Sequence, residues 1–141
     1  MAEEKDLSQS IIFARGDVVQ PPYDQYFTGT TYANELVSFE SPLGCIIGNV
    51  TFEPGSRNHW HQHAGGQILL VTGGRGWYQE EGKPAQRLQA GDVVQILPDV
   101  KHWHGAAADS WFVHLAIEPD ISGGPPVWFE PVSDEEYNKL K

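Results

Sequence analysis

Turn-forming residues recur along this chain in the manner of many short strands joined by tight turns. Gly73-Gly74, Glu81-Gly82-Lys83, Ala90-Gly91-Asp92, Pro98-Asp99 and Gly123-Gly124-Pro125-Pro126 are the strongest signals. Gly, Asp and Pro mark turns because they tolerate positive φ or pre-set φ for a tight bend. Between these signals lie short stretches rich in aromatic and β-branched residues: 26–32, 45–52, 67–71, 76–80, 86–88, 93–97, 102–106, 111–118 and 127–129. Strands this short at this spacing predict an all-β barrel or sandwich. Residues 1–10 are polar and read as loose, and 11–27 read as irregular because Pro21-Pro22 rules out a central strand. One helix is expected near the C-terminus. Ser133 stands three residues before Glu136, the spacing of a capping box, and Asp134, Glu135 and Glu136 suit the positive end of a helix dipole. The expected organisation is an arm over 1–25, a barrel over 26–131 and a helical tail over 132–141.

A chain of 141 residues fits a single domain with one core. Nine Lys+Arg against nineteen Asp+Glu give a formal charge of −10, which repels phosphate backbones and anionic bilayers. Nucleic-acid and membrane partners are therefore not expected. No apolar run approaches the roughly 20 residues that span a bilayer, and Met1–Asp6 is charged and lacks an apolar signal region. A cytoplasmic location is the expectation. The single cysteine, Cys45, excludes an intrachain disulfide. Its neighbours Gly44 and Ile46-Ile47 suit a small packing residue in a strand.

All six histidines fall between positions 59 and 114, as His59/His61/His63, His102/His104 and His114. In an extended segment, residues two apart point to one side. His61 and His63 can thus aim both imidazoles at one point, and a residue from a neighbouring strand can complete a metal site. The alternation Phe112, His114, Ala116, Glu118 places one face of a later strand toward the interior. The same period puts Gly48, Val50 and Phe52 on an opposite wall, with Asn58 a polar group nearby. These small or apolar positions predict a compact small-molecule pocket. Glu118 is a second candidate acid or base, whereas Lys101 and Arg57 read as supports for loops or the rim.

Gly55, five residues, His61-Gln62-His63, three residues and Gln67, followed by a turn at Gly73-Gly74, resembles the first cupin motif. Gly91, a strand, Pro98 and His102 resembles the second. The family resemblance implies a cupin barrel, a jelly roll or double-stranded β-helix. Three positions depart from the usual motifs: Gln67 stands where Glu is customary, Asp99 where the second motif has Gly, and the Asn usual after the second-motif histidine is not evident. Asp tolerates the left-handed backbone better than most residues, so the turn is expected to survive. Counting from His61 reaches Gly65 or Gly66, which offer no side-chain ligand, whereas counting from His63 reaches Gln67. His59 is then a flanking residue.

The segments Val50–Arg57, His102-Trp103-His104-Gly105-Ala106 and His114-Leu115-Ala116-Ile117 carry a narrower resemblance. They look like small single-domain cupins related to bacterial manganese-dependent hydroxynitrile lyases, some described alongside carboxymuconolactone decarboxylase proteins. Tyr26–Thr30 and Val132–Tyr137 extend it over nearly the whole chain. This resemblance implies one divalent metal, manganese first and Fe, Ni, Zn or Co as alternatives, held by His61, His63, Gln67 and His102. It also implies His114 as the base. His104, two residues after a proposed ligand, is a candidate pocket residue that either shares that ligand's face or lies just beyond it as a partner of the ligand shell. Three imidazoles and an amide leave the full dipositive charge on the centre, favouring an anion, enolate or alkoxide. The expected function is cyanohydrin-type carbon–carbon cleavage, or proton transfer next to a carbonyl. An Fe or Ni cupin dioxygenase and a non-catalytic small-ligand sensing cupin are the alternatives. A homodimer or larger homo-oligomer is expected by the same resemblance, with Trp111, Trp128 and Phe129 as candidate contacts.

Overall fold

The computed structural model of the chain describes residues 12–140. The reading of 1–10 as a loose lead segment lies outside the described residues. The strands are β1 (Asp17–Val18), β2 (Phe27–Thr28), β3 (Thr31–Val37), β4 (Ile46–Phe52), β5 (Arg57–Asn58), β6 (His61–Gln62) and β7 (Gln67–Glu80). They continue as β8 (Gln86–Gln89), β9 (Val93–Ile96), β10 (His102–Ala106), β11 (Phe112–Glu118) and β12 (Val127–Trp128). A 3-10 turn over Tyr23–Tyr26 and one short helix, α1 (Asp134–Asn138), complete the elements. The strands form one antiparallel sheet that curls on itself, in the order β1-β3-β4-β11-β7-β10-β5-β2. The expected class, a small all-β barrel with a C-terminal helix, is the observed one.

β7 holds the curl together. Its first half pairs with β11 and β9, and its second half with β10 and β8. Gly73-Gly74 is therefore not the turn that its composition suggests; it lies inside a continuous strand of 14 residues. The reason is a long-range contact. Gly74 takes φ 70°, and a side-chain carbon there would sit 1.8 Å from the carbonyl oxygen of Trp111. That oxygen accepts the N–H of Arg75 at 3.1 Å, and the β11 register shifts between Val113 and His114. The glycines let β7 leave one layer and enter the other while its pairing continues.

Other differences have similar causes. The stretch 26–32 is not one strand: Tyr26 ends the 3-10 turn, Gly29 at φ 82° breaks the chain, and β3 runs on to Val37. β1, β5 and β6 have two residues each, too few for any periodicity. Cys45 is only half-buried, just ahead of β4, so it is not the buried packing residue expected. Asp99 adopts φ 61°, the left-handed turn that the second motif normally gives to glycine.

Two apolar clusters result. Phe52, Leu69, Val71, Tyr78, Leu88, Val94, Ile96, Ala106 and Phe112 fill the barrel. Trp60, Trp77, Trp103, Val132 and Tyr137 form a second cluster that brings the C-terminal segment onto the sheet. This explains why β10 is buried at all five positions instead of alternating. The helix starts as its sequence implies, with the Ser133 hydroxyl accepting the N–H of Glu136 at 3.1 Å. Arg57 donates to the Val132 carbonyl at 2.8 Å and pairs with Asp134 at 2.7 Å. Its guanidinium lies 4.3 Å from the centre of the Tyr137 ring.

Gly74→Ala tests the role of the β7 crossing. It combines a left-handed backbone that costs a side chain about 1–2 kcal/mol with a contact no rotamer relieves. The expected loss is at least about 2 kcal/mol in urea unfolding; an unchanged midpoint would show that β7 crosses without needing glycine.

Candidate metal centre

The pairing of β6 with β10 sets His102 directly opposite His61, with ring centres 4.3 Å apart. Each ring is anchored in the same way. Nδ1 of His61 lies 2.8 Å from the carbonyl of His59, and Nδ1 of His102 lies 2.8 Å from the carbonyl of Val100. Each Nδ1 therefore donates its proton to a carbonyl two residues back, which leaves Nε2 with a lone pair. His63 follows β6 directly, its ring centre 5.1 Å from that of His61 and 5.8 Å from that of His102. Its Nδ1 faces Oε1 of Glu118 at 3.2 Å. Gln67, the first residue of β7, brings Oε1 to 3.3 Å from Nε2 of His102.

Nitrogen donor atoms of His61, His102 and His104 all lie within 4.8 Å of one another, a group compatible with one divalent metal. The neighbours of His104 and His63 differ, however. Nδ1 of His104 lies 3.0 Å from Nε2 of His114. The Asn58 amide sits 3.2 Å from Nε2 of His104, and its oxygen accepts the His104 backbone N–H at 2.9 Å. By contrast Nε2 of His63 is buried with no hydrogen-bond partner. An orphaned lone pair beside other imidazole donors and an amide oxygen is what a metal would satisfy. The donor chemistry fits a first-row divalent ion.

Across the interior, β11 pairs with β4, setting Phe112 against Phe52, His114 against Val50, Ala116 against Gly48 and Glu118 against Ile46. Phe52 and Phe112 are fully buried and enclose His114, the Phe52 ring lying 5.6 Å and the Phe112 ring 5.4 Å from it. Val50 and Ala116 pack against the same core. At Gly48 a side-chain carbon would meet the Asn34 carbonyl at 3.8 Å, an ordinary contact, so the wall could take a methyl there without a clash. His114 touches His104 and no other imidazole among the described ring contacts, so His104 stands between it and the His61–His102 pair.

Two features escaped the sequence reading. The Trp128 ring packs at 4.6 Å on His61 and stacks at 4.5 Å on Tyr26. Trp128 is thus part of the wall behind His61, brought there by the pairing of β12 with β6; no local pattern announces a two-residue strand. Glu118 was legible as inward-facing, but its partner His63 lies 55 positions away. Of the other contact candidates, Trp111 stacks near Tyr32 and Phe129 lies beneath the Lys101 ammonium. His59 is half-buried beside Tyr26 and contributes its carbonyl, not its ring, to the centre.

Burial dominates the electrostatics. Desolvation pushes His61 and His104 well below the ordinary imidazole value, helped by neighbouring imidazoles. It lowers His102 and His114 to about 4 from 6.5. A folded state that resists protonating these rings loses ground to an unfolded chain that does not. Stability of the metal-free protein should therefore be full above about pH 6.5 and decline as pH falls toward about 4. Urea midpoints measured across that window should drop steadily; a flat profile would contradict the burial of these rings.

Comparison with known proteins agrees with this geometry. The sequence profile of the cupin domain family matches residues 48–117, which include all six histidines. The chain is 44% identical over 114 residues to an (R)-mandelonitrile lyase of Granulicella tundricola, covering 81% of this chain and 87% of that one. A solved cupin-like protein from Thermotoga maritima shares 47% identity with a TM-score of 0.87, over 92% of this chain and 96% of that one. DMSP lyase DddQ from Ruegeria pomeroyi shares the fold alone, at 21% identity and a TM-score of 0.63 over 91% of this chain and 64% of that one. By strand order, histidine placement and these long matches together, the chain belongs to the cupin family.

Proposed function

We propose that this cupin is a metal-dependent lyase of small 2-hydroxynitriles, with His61, His63, Gln67 and His102 as ligands and His114 as the proton acceptor. The observation that carries the reading is the orphaned Nε2 of His63 beside two imidazoles whose Nδ1 protons are tied to carbonyls. The similarity to the mandelonitrile lyase supports the reaction class. Manganese is the preferred metal. When bound, the metal supplies Lewis acidity toward a substrate oxygen or a released anion.

The chain's own residues supply orientation, dryness and a place for the proton. Phe52 and Phe112 exclude water around His114, and Gly48 stands opposite Ala116 on the same wall. Burial keeps His104 and His114 uncharged at neutral pH, so the pair presents a lone pair to a substrate hydroxyl. Cleavage of a 2-hydroxynitrile breaks the bond between the carbinol and nitrile carbons. The hydroxyl proton passes to the hydrogen-bonded His104–His114 pair, the carbinol becomes a carbonyl, and the proton then leaves with cyanide. Burial lowers His114 from its ordinary value, so the ring is uncharged and able to accept a proton at neutral pH. Asn58 holds His104 by backbone and ring, which keeps His114 aligned.

Purified protein stripped by a chelator should lose mandelonitrile cleavage and regain it with Mn(II). In reloaded protein, His114→Ala should lower kcat by about 10²- to 10⁴-fold with metal content unchanged. Metal-free protein with full activity, or a His114→Ala variant as fast as the parent, would overturn the proposal.

A further inference from the structure

The three imidazoles proposed as ligands are not anchored alike. His61 and His102 donate to neutral carbonyls two residues back in the chain. His63 instead meets a carboxylate from another strand, Oε1 of Glu118 at 3.2 Å. The His63 side chain is 8% exposed and that of Glu118 20% exposed, so the contact lies at the edge of the interior and is only partly wetted. Glu118 is the last residue of β11, two pairs beyond His114 along the same inward face.

This contact has two consequences. With its proton on Nε2, His63 would turn a bare Nδ1 lone pair toward the lone pairs of the carboxylate, which repel it. With the proton on Nδ1, the same contact becomes a charge-assisted hydrogen bond, and Nε2 keeps its lone pair inside the barrel. The second consequence concerns charge. Gln67 stands where a carboxylate ligand is customary, so four uncharged donors would leave a dication uncompensated. A carboxylate one residue removed from the metal returns one negative charge without occupying a coordination position.

We infer that Glu118 is a positioning residue that locks His63 in the Nδ1–H tautomer and supplies the compensating charge that Gln67 lacks. The inference rests on the ligand set proposed above. It makes Glu118 a determinant of metal affinity and of the charge on the centre, and it requires no proton transfer by the carboxylate during turnover. Charge compensation from outside the coordination sphere is weaker than from a ligand, so the centre stays more electrophilic than one holding a carboxylate directly.

Two variants and two readouts test it. Glu118→Gln keeps an acceptor for Nδ1–H and removes the charge; Glu118→Ala removes both. Mn(II) dissociation constants are measured by competition with a chromophoric chelator, and the His63 tautomer by long-range ¹H–¹⁵N spectra of metal-free protein near pH 7.5. The expected result is a dissociation constant raised by about 10- to 100-fold in Glu118→Ala and by less in Glu118→Gln. The spectra should show His63 as Nδ1–H in the parent and as a tautomer mixture in Glu118→Ala. An unchanged tautomer in Glu118→Ala, or an unchanged dissociation constant in both variants, overturns the inference. A parent protein that binds no Mn(II) removes the ligand reading instead, and the tautomer spectra still decide whether Glu118 holds the ring.

Discussion

The two hydrogen bonds that tie Nδ1 of His61 and His102 to carbonyls two residues back are the interaction on which the rest depends. An imidazole buried in a barrel loses hydration and can keep only one proton without a large penalty. Where that proton sits decides what the ring can do. Tied to the backbone, it leaves Nε2 as a lone pair facing the interior, and two strands in register bring two such lone pairs together. His63 reaches the same state by a different route, through a carboxylate. The remaining imidazoles, His104 and His114, meet across 3.0 Å through Nδ1 and Nε2, leave Nδ1 of His114 without a hydrogen-bond partner, and stay uncharged by burial.

The fold makes that arrangement possible by dividing the work between its two layers. β6, the residue that follows it and β10 carry the proposed ligand rings, while β11 and β4 face them with His114, two phenylalanines and a stretch of small residues. β7 joins the layers and contributes Gln67 from its first position. The outward side of β10 is sealed by Trp103 under Tyr137 and Val132, so the strand bearing His102 and His104 is packed on both faces. A strand held this way restricts its side chains to few rotamers, which suits a site whose donors have to converge.

Much of this was legible in the residues, and the limits follow from distance along the chain. The i, i+2 rule placed His61 with His63 and ordered Phe112, His114, Ala116 and Glu118 on one face, because strand periodicity is local. The Ser133 cap and the left-handed Asp99 were readable for the same reason. Gly73-Gly74 misled because a glycine pair means a turn only when its neighbours leave room; here the Trp111 carbonyl, far along the chain, occupies that room. Trp128 against His61 and Glu118 against His63 are products of pairing between remote segments. No composition or period could announce them. The intervening position of His104 between His114 and the other rings is likewise a property of the closed barrel.

The central claim is that one metal sits among His61, His63, Gln67 and His102. The most direct measurement is an anomalous-scattering map from crystals of untagged protein. The account predicts one peak per chain at about 2.0–2.3 Å from Nε2 of the three histidines and Oε1 of Gln67, with His104 held off by His114 and Asn58. A peak bound by His61, His102 and His104 with His63 turned away, or crystals of active protein with no peak at all, would contradict it.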